Sequence, residues 1–598
     1  MWRRYCSRHL QQLLCQPSAG CTYACARGPP ACRLQHTDAT STLSARPDGQ
    51  TTSTRWPLYG VIGAALAGAA TVYLSGKSTE EVAAAAVDTA MEAKEELQQL
   101  VNWSGTHHVR PKRFYQPETI QEVEDIVQKS HEQGQKLRCV GSALSPNGLA
   151  FSKEGMLSLA LLDKVLHVDV KKAQVTVQAG ARVQEVVEAL RPHGLTLQNF
   201  ASIREQAIGG FIQVGAHGTG ATIPPVDEQV VAMKLVTPAL GTLQLSEESD
   251  RELFHMARVG LGSLGVVTEV TLQCVPAHEL VEHTYVTTSN ELRQQHAQLL
   301  RNNKHVRYMW IPYTHDVVVV TNNPLQQGWW ARLRGGPGVP KQATPAPRHE
   351  SLAALRQLLL KAKPKLDKAE LAELSVTQLR DELLACDPVN TDWVVQINRA
   401  EAEYWRRSEG YRVGWSDQML GFDCGGQQWV LEVAFPTGTL KNPSLADLQY
   451  VEELLARIER QGIPAPSPIE QRWTSSSRSA LSPASTTPEL PPDTLFSWVG
   501  VIMYLPTEDE EQRKAITNRF REYVKLCHEQ LMPKYKAVDH WAKVEVVDLT
   551  PEDKGLVRKR MADRYPVTAF NNARKQLDPN NIFSNHIIDD LFPHTDVT

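Results

Sequence analysis

The chain has 598 residues, of which 42% are hydrophobic, 22% charged and 7% aromatic, ordinary globular composition in a chain long enough for several domains. Wholesale disorder, collagen-like repeats and a polytopic membrane protein are excluded. The net charge of −4, from 63 basic and 67 acidic residues, argues against nucleic acid as a partner.

Charge is unevenly spread. Residues 1–55 hold seven arginines and no lysine against two acids, Asp38 and Asp48, the composition of a mitochondrial transit peptide. Its removal leaves a more acidic body. Residues 56–74 then run without a charge between Arg55 and Lys77, and at 1.5 Å per residue they would extend about 28 Å, one hydrocarbon core. The stretch 56–76 is read as a possible transmembrane helix or sorting segment, with a buried helix as the alternative. Residues 77–104 are Ala/Glu-rich and predict a helical spacer. Half of the ten cysteines fall within 1–55 and the rest form no CxxC pair, so neither a disulfide framework nor a zinc ribbon is expected.

The globular pattern follows. Pro117 with Ile120, Val123, Ile126 and Val127 predicts an amphipathic helix carrying proline in its first turn, and Lys136–Val140 a strand. Val165–Val170 and Gln174–Ala179 alternate around Lys171-Lys172 as a hairpin. Val183, Val186, Val187 and Leu190 mark a helix. Val230–Val236 and Thr242–Leu245 form another strand pair, Glu252–Arg258 a helix and Val266–Leu272 a strand. Residues 326–385 read as an insertion, irregular at first and helical later. Further strands are expected at Trp429–Val433, Trp498–Tyr504 and Trp541–Val547, helices at 445–460 and 508–530, and a Pro/Ser-rich surface loop at 476–493. The fold class is α+β.

Three glycine clusters lie close together: Gly141–Gly148, Ile208–Gly220 and Gly260–Gly265. Glycines let successive amides approach a diphosphate and make an anion nest. Gly260-Leu-Gly-Ser-Leu-Gly265 matches the dinucleotide fingerprint, but that motif needs a strand before it and a helix after. Here the order is reversed, which argues against a nicotinamide fold. Glu470 and Arg472 flank Gln471 in an expected strand, so their side chains share a face. His107 and His108 are adjacent and do not converge, and no metal site is expected.

These residues resemble a known family. Arg138-Cys-Val-Gly-Ser-Ala-Leu-Ser145, Ile208-Gly-Gly210 and Gly260–Val267 resemble the FAD-binding domain of the vanillyl-alcohol oxidase flavoproteins. Asn199-Phe-Ala-Ser-Ile203, Ile469-Glu-Gln-Arg-Trp473 and His540-Trp-Ala-Lys543 are similar to the plant-type aldonolactone oxidoreductases within that family. The resemblance spans about 102–325 and 390–595.

It implies an FAD-binding domain over 105–278, a substrate (cap) domain over 279–564 containing the insertion 326–385, and a C-terminal segment 565–598 returning to the first domain. FAD would lay its pyrophosphate against Gly141, Ser142, Ala143, Leu144 and Ser145, with Asn147 beside them. Its adenine and ribose would meet Ser202, Gly209, Gly210, Gly215, His217, Gly218 and Thr219, and the backbone at Gly265 and Val266. Many members bond flavin covalently to a histidine in the first loop. Leu144 stands at that place, so FAD is expected to be non-covalent. Ala201 stands where related oxidases often carry glycine and is expected to keep oxygen from the flavin. Glu470 and Arg472 would bind the lactone, Arg472 also stabilising negative charge, with His540 as polar contact or proton relay and Lys543 at the flavin edge.

The implied activity is oxidation of L-galactono-1,4-lactone to L-ascorbate with cytochrome c as acceptor, at the mitochondrial inner membrane facing the intermembrane space. Two alternatives stand: an aldonolactone oxidase releasing hydrogen peroxide, and an assembly factor for respiratory complex I intermediates whose flavin is structural.

Overall fold

A computed structural model describes residues 99–325 and 348–593, save 423, 547 and 548. The expected transit peptide, the apolar stretch 56–76, most of the spacer and the first part of the insertion lie outside the described residues. Among the described residues, no helix is long and apolar enough to cross a membrane.

Strands β1 (Phe114–Tyr115), β2 (Arg138–Val140) and β3 (Met156–Ser158) form a small parallel sheet in the order β1-β3-β2. Helix α1 (Ile120–Glu132) joins β1 to β2. Thr119 caps it by accepting from the Glu122 amide, and Val123 and Val127 are buried beneath it. Pro117 therefore precedes the helix rather than sitting in its first turn, because the hydroxyl at 119 is the cap that satisfies a free amide.

A second, antiparallel sheet contains β4 (Val165–Asp169), β5 (Gln174–Gln178), β6 (Leu195–Leu197), β7 (Val230–Thr237), β8 (Gly241–Ser246) and β9 (Val266–Pro276). Its order is β8-β7-β9-β5-β4, with β6 also on β9. The β4–β5 turn closes where Asp169 accepts from the Lys172 amide at 3.0 Å. Helices α2 (Val183–Leu190), α3 (Ile208–Gln213) and α4 (Arg251–Ala257) complete this half. The 260–265 loop enters from α4 and leaves into β9 with Leu261 and Gly262 both left-handed, the reverse of the dinucleotide order.

The other half is one eight-stranded antiparallel sheet. Its strands are β10 (Glu279–Thr288), β11 (His305–Trp310), β12 (Asp316–Pro324), β13 (Gly410–Trp415), β14 (Gln428–Thr439), β15 (Ile469–Ser475), β16 (Thr494–Tyr504) and β17 (Val538–Asp539), ordered β13-β10-β12-β11-β15-β16-β14-β17. Side chains alternate between its faces. One face buries Tyr308, Trp473, Val433 and Val499 in a common core with Leu300, Leu454 and Phe520. Those last three come from helices α5 (Ser289–Asn302), α9 (Ala446–Gln461) and α10 (Glu510–Leu526). The opposite face carries Arg307, Glu432, Glu470 and Arg472 along a cavity.

The later part of the insertion is helical as expected, and it continues into a small bundle. Helices α6 (Ala353–Ala362), α7 (Val376–Leu384) and α8 (Thr391–Arg407) pack Leu355, Leu359, Leu379, Leu383, Val394 and Ile397 together with Tyr504 of β16.

Two expectations are corrected. Trp541–Val547 is no strand: Trp541–Lys543 is a turn and Val544–Val546 is irregular. The polar groups that a ladder would pair are taken by side chains and loops instead. Asn147 donates its side-chain amide to the carbonyls of Trp541 (2.9 Å) and Val544 (2.7 Å) and its backbone amide to that of Ala542 (3.3 Å), while the Trp541 side chain is anchored separately, its indole donating to Leu481 O at 2.6 Å. The 476–493 segment is a loop, but Ser477, Ser479, Leu481, Ser482 and Ala484 are buried. Its serines are inside because both Ser477 and Ser479 donate to the buried Asp227 at 2.5 Å. Beyond it, Val538, Trp541, Met561, Phe570 and Ile587 join the core of the first half. Cys139, Cys274, Cys386 and Cys527 are free thiols.

Candidate active site

A single large cavity of about 710 Å³ runs between the loops of the first half and the open face of the eight-stranded sheet. Gly141, Ser142, Ala143, Leu144, Ser145 and Asn147 line it, as do Ala201, Ser202, Gly209, Gly210, His217 and Gly265. Glu470, Arg472, His540 and Lys543 line it from the other side. The sequence-predicted residues thus converge from segments up to 400 positions apart.

Four expected cofactor contacts lie off the cavity wall. Gly215 turns away against Pro483, at φ 65°. Gly218 is wedged in the backbone, where a Cβ would stand 2.0 Å from Asn199 Oδ1 and 2.4 Å from Phe200 O; it serves packing. Thr219 spends its hydroxyl on the carbonyl of Val306. Val266 points into the core, and by strand alternation its neighbour Val267 takes the wall. His217 faces the cavity from another role, stacked on Trp498 at 3.7 Å between centroids and 15° between planes.

The first loop fits a diphosphate. Among the described residues, none of the amides from Gly141 to Ser145 donates to a protein acceptor. These residues are half-buried against the cavity, and consecutive unpaired amides form an anion nest. Arg138, 2% exposed, ties together the loops beside the nest. It donates to the carbonyls of Leu149 (2.8 Å), Leu261 (2.9 Å), Gly262 (3.1 Å) and Phe583 (2.6 Å), joining three loops. Burial pulls its guanidinium down to about 10. It remains a cation at neutral pH, its hydrogen bonds going to carbonyls. Leu144 offers no nucleophile, and burial pushes the nearby Cys139 thiol up to about 12, which keeps it unreactive.

The opposite wall is an ion cluster centred on Glu432 of β14, 4% exposed. Its Oε1 accepts from Arg472 Nη2 (2.8 Å) and lies 3.1 Å from His217 Nε2, and its Oε2 is 2.9 Å from Lys543 Nζ. Burial drives this carboxyl upward, but Lys543, His217 and Arg472 outweigh it and hold the group well below the usual carboxylate range. Burial lowers His217 to about 4 against the pull of Glu432, while its ring nitrogens face two oxygens, Nε2 that of Glu432 (3.1 Å) and Nδ1 the carbonyl of Gly218 (3.0 Å). Burial and then Lys543 drive His540 well below its ordinary value too. His540 Nδ1 accepts from the Ala542 amide at 3.1 Å, so its proton sits on Nε2. It can donate to a ligand, which fits a polar contact better than a proton relay.

Glu470 completes the cluster. Its carboxylate lies 3.5 Å from both Arg472 Nη2 and Arg307 Nη1, and Arg307 stacks 4.2 Å above Phe422. Glu470 Oε1 is buried without a hydrogen-bond partner among the described residues. Three cations (Arg307, Arg472, Lys543) thus face two carboxylates (Glu432, Glu470), an excess of one positive charge that would stabilise negative charge arising in the cavity. His217, Glu432 and His540 place ligand atoms within 4.8 Å of one another, yet Arg472 and Lys543 already share the only charge in that group.

Glu432, Arg307 and Trp498 were not singled out from sequence. The signal for Glu432 was present: a carboxylate inside the apolar run Val430–Phe435 must be paired if it is buried. Nothing in His305–Trp310 distinguishes Arg307 from an exposed strand arginine.

An anion nest of free amides, facing a positively charged polar wall across a large cavity, fits a diphosphate-bearing cofactor with a small polar substrate beside it. Residues 111–245 match the FAD binding domain family, and 270–591 match the D-arabinono-1,4-lactone oxidase family. The chain is 54% identical over 514 residues to the mitochondrial L-galactono-1,4-lactone dehydrogenase of Arabidopsis thaliana, covering 83% of this chain and 82% of that one. It is 53% identical to that of Brassica oleracea, covering 83% of each. Cholesterol oxidase from B. sterolicum shares the fold with a TM-score of 0.64 at 17% identity, over 83% of this chain and 97% of that structure. The chain belongs to the aldonolactone oxidoreductase family of FAD-binding proteins, alongside the plant L-galactono-1,4-lactone dehydrogenases.

Proposed function

We propose that this protein is a mitochondrial FAD-dependent dehydrogenase that oxidises L-galactono-1,4-lactone to L-ascorbate and passes the electrons to cytochrome c. The observation that carries the reading is the Glu470–Arg472–Glu432–Lys543 cluster, a charge-paired polar wall across the cavity from the free amides at 141–145. FAD, when bound, supplies the acceptor for the hydride leaving the lactone carbon C2.

The protein orients the lactone around it. The carboxylate of Glu470, which lines the cavity, accepts the hydrogen bond of the C2 hydroxyl, which aligns it and draws its proton. Arg472, held by two carboxylates, donates to the lactone and offsets negative charge. Lys543 and the Nε2–H of His540 add donors at the same wall. Ala201 lines the cavity beside Ser202, and its methyl supports a dehydrogenase over an oxidase by occupying space that oxygen would use. The oxidase reading draws on the name of the family matched by 270–591. The acidic body suits a basic electron carrier by steering rather than tight binding. The inner membrane and complex I assembly intermediates are further partners proposed on the resemblance.

The test is spectroscopic. The purified protein should be yellow, release its flavin on acid precipitation, and bleach on anaerobic addition of L-galactono-1,4-lactone. Cytochrome c should then restore the colour much faster than dissolved oxygen. A flavin that never bleaches would sink the substrate; faster recovery with oxygen would favour the oxidase.

A further inference from the structure

The insertion supplies the far end of the same cavity. Along β14 and β16, Glu432 pairs with Gly500, Val430 with Ile502 and Gln428 with Tyr504. All six line the cavity, in successive rows on one face. At about 3.4 Å per residue, Tyr504 stands roughly 14 Å along the sheet from Gly500, which is itself the strand neighbour of Glu470. Over Tyr504 lies Arg380 of α7, its guanidinium 4.2 Å from the ring centroid. Arg380 Nη1 is 3.6 Å from Glu401 Oε1 of α8.

Glu401 is unusual. It is 2% exposed and lines the cavity, and its Oε1 has no hydrogen-bond partner among the described residues. Burial raises its carboxyl to about 7, with Arg380 opposing and Asp381 adding to the rise. Leaving a buried polar atom unpaired is costly; Oε1 is enclosed beside Arg380, while the carboxylate as a whole lines the cavity, where a ligand can meet it. Ser375 and Thr377, at the start of α7, line the same end. The rows between the two poles carry Ile502, Val430 and Pro468, which offer a ligand no side-chain hydrogen bond. A ligand that meets both poles needs polar groups at both ends. An aldonolactone has this form: it reacts at C2 in the ring and carries hydroxylated carbons outside the ring.

We propose that Glu401, backed by Arg380, determines substrate specificity by accepting hydrogen bonds from the hydroxyls that the lactone carries outside its ring. The inference rests on the aldonolactone reading above. It gives α7 of the insertion, together with α8 that follows it, a role in recognition, reading the length of the substrate.

The holoenzyme tests this by stopped-flow bleaching with two lactones. L-galactono-1,4-lactone has two carbons outside the ring, and L-threono-1,4-lactone has none. Removing a buried hydrogen-bond acceptor should cost about tenfold in affinity. Glu401→Ala should therefore raise the half-saturating concentration of L-galactono-1,4-lactone by about tenfold, with the limiting bleaching rate within about twofold. The four-carbon lactone should be handled as by the wild type. Glu401→Gln keeps an acceptor oxygen and should recover most of the loss, which a role confined to holding Arg380 would not allow. If Glu401→Ala does not fold, Glu401→Asp, one methylene short, should show the same selective rise.

Equal losses on both lactones, or no loss on either, would overturn the proposal while leaving the activity intact. A wild type that bleaches with the four-carbon lactone alone would overturn it too. A wild type that bleaches with neither would remove the aldonolactone reading and this inference with it.

Discussion

Glu432→Gln probes the ion cluster most directly. Glutamine keeps the size of the side chain and one carbonyl acceptor, but it withdraws the charge facing Arg472 at 2.8 Å and Lys543 at 2.9 Å. The excess of positive charge on the wall then grows from one to two. Glu470 remains for Arg472, at 3.5 Å, whereas Lys543 loses its carboxylate partner. Removing one member of a buried pair costs about 3–5 kcal/mol, and His217 and the backbone of β14 soften this little. We expect urea unfolding at pH 7 to show a loss near the lower end, about 3 kcal/mol, and bleaching by lactone to slow at least tenfold as Arg472 shifts.

The pH dependence gives an independent check. Glu432 has a folded-state pKa well below its ordinary value, so its stabilisation is complete above the unfolded carboxylate value of about 4.3 and is lost as pH falls through the lower folded one. The gap between wild type and Glu432→Gln should stay level from pH 8 to about 5 and narrow below about 4.3. A gap under about 1 kcal/mol at pH 7, or one that widens as pH falls, would refute the charge-pairing argument.

Three further outcomes are expected. Arg138→Lys cannot reproduce four carbonyl contacts from one fork, so equilibrium dialysis should show FAD binding weakened at least tenfold, and the apoprotein should melt clearly earlier because buried carbonyls lose their donor. Ala201→Gly should speed recovery of the bleached flavin by oxygen at least tenfold, followed by absorbance, while the lactone concentration for half-saturation stays put. Leu144→Ala should leave the flavin acid-releasable as in the wild type, read in the supernatant after precipitation; flavin that stays with the wild-type pellet would contradict non-covalent binding.

What sequence could yield follows the range of the forces involved. Hairpins such as β4–β5 and β7–β8 were legible because alternation and the turn residues between them are local. So was the reversed order around Gly260–Gly265, which separates this fold from the nicotinamide one. The order of the eight-stranded sheet was not legible: β13 meets β10 across more than a hundred residues, and no local pattern encodes such a pairing. Trp541–Val547 looked like a strand because apolar residues alternate there. Asn147 supplies the partners that alternation assigned to a ladder, and the buried 476–493 loop anchors the Trp541 side chain.

The site divides in the same way. Glu470 and Arg472 could be placed on one face by period alone, and the family motifs supplied the rest of the expected wall. Glu432, on which that wall turns, belongs to no motif, and its importance follows from having to neutralise Arg472 and Lys543 at once. The insertion shows the limit most clearly. Its helical period announces a buried stripe, which the bundle core around Leu355, Leu379 and Val394 satisfies. The period is silent about Glu401, a charged residue on α8 that breaks the stripe among Ile397, Ala400 and Ala402. A carboxylate buried on a helix requires either a full set of partners or a ligand. With Arg380 at 3.6 Å and Oε1 unmatched among the described residues, the protein supplies only part of that set, and the cavity that Glu401 lines is open to a ligand that adds to it.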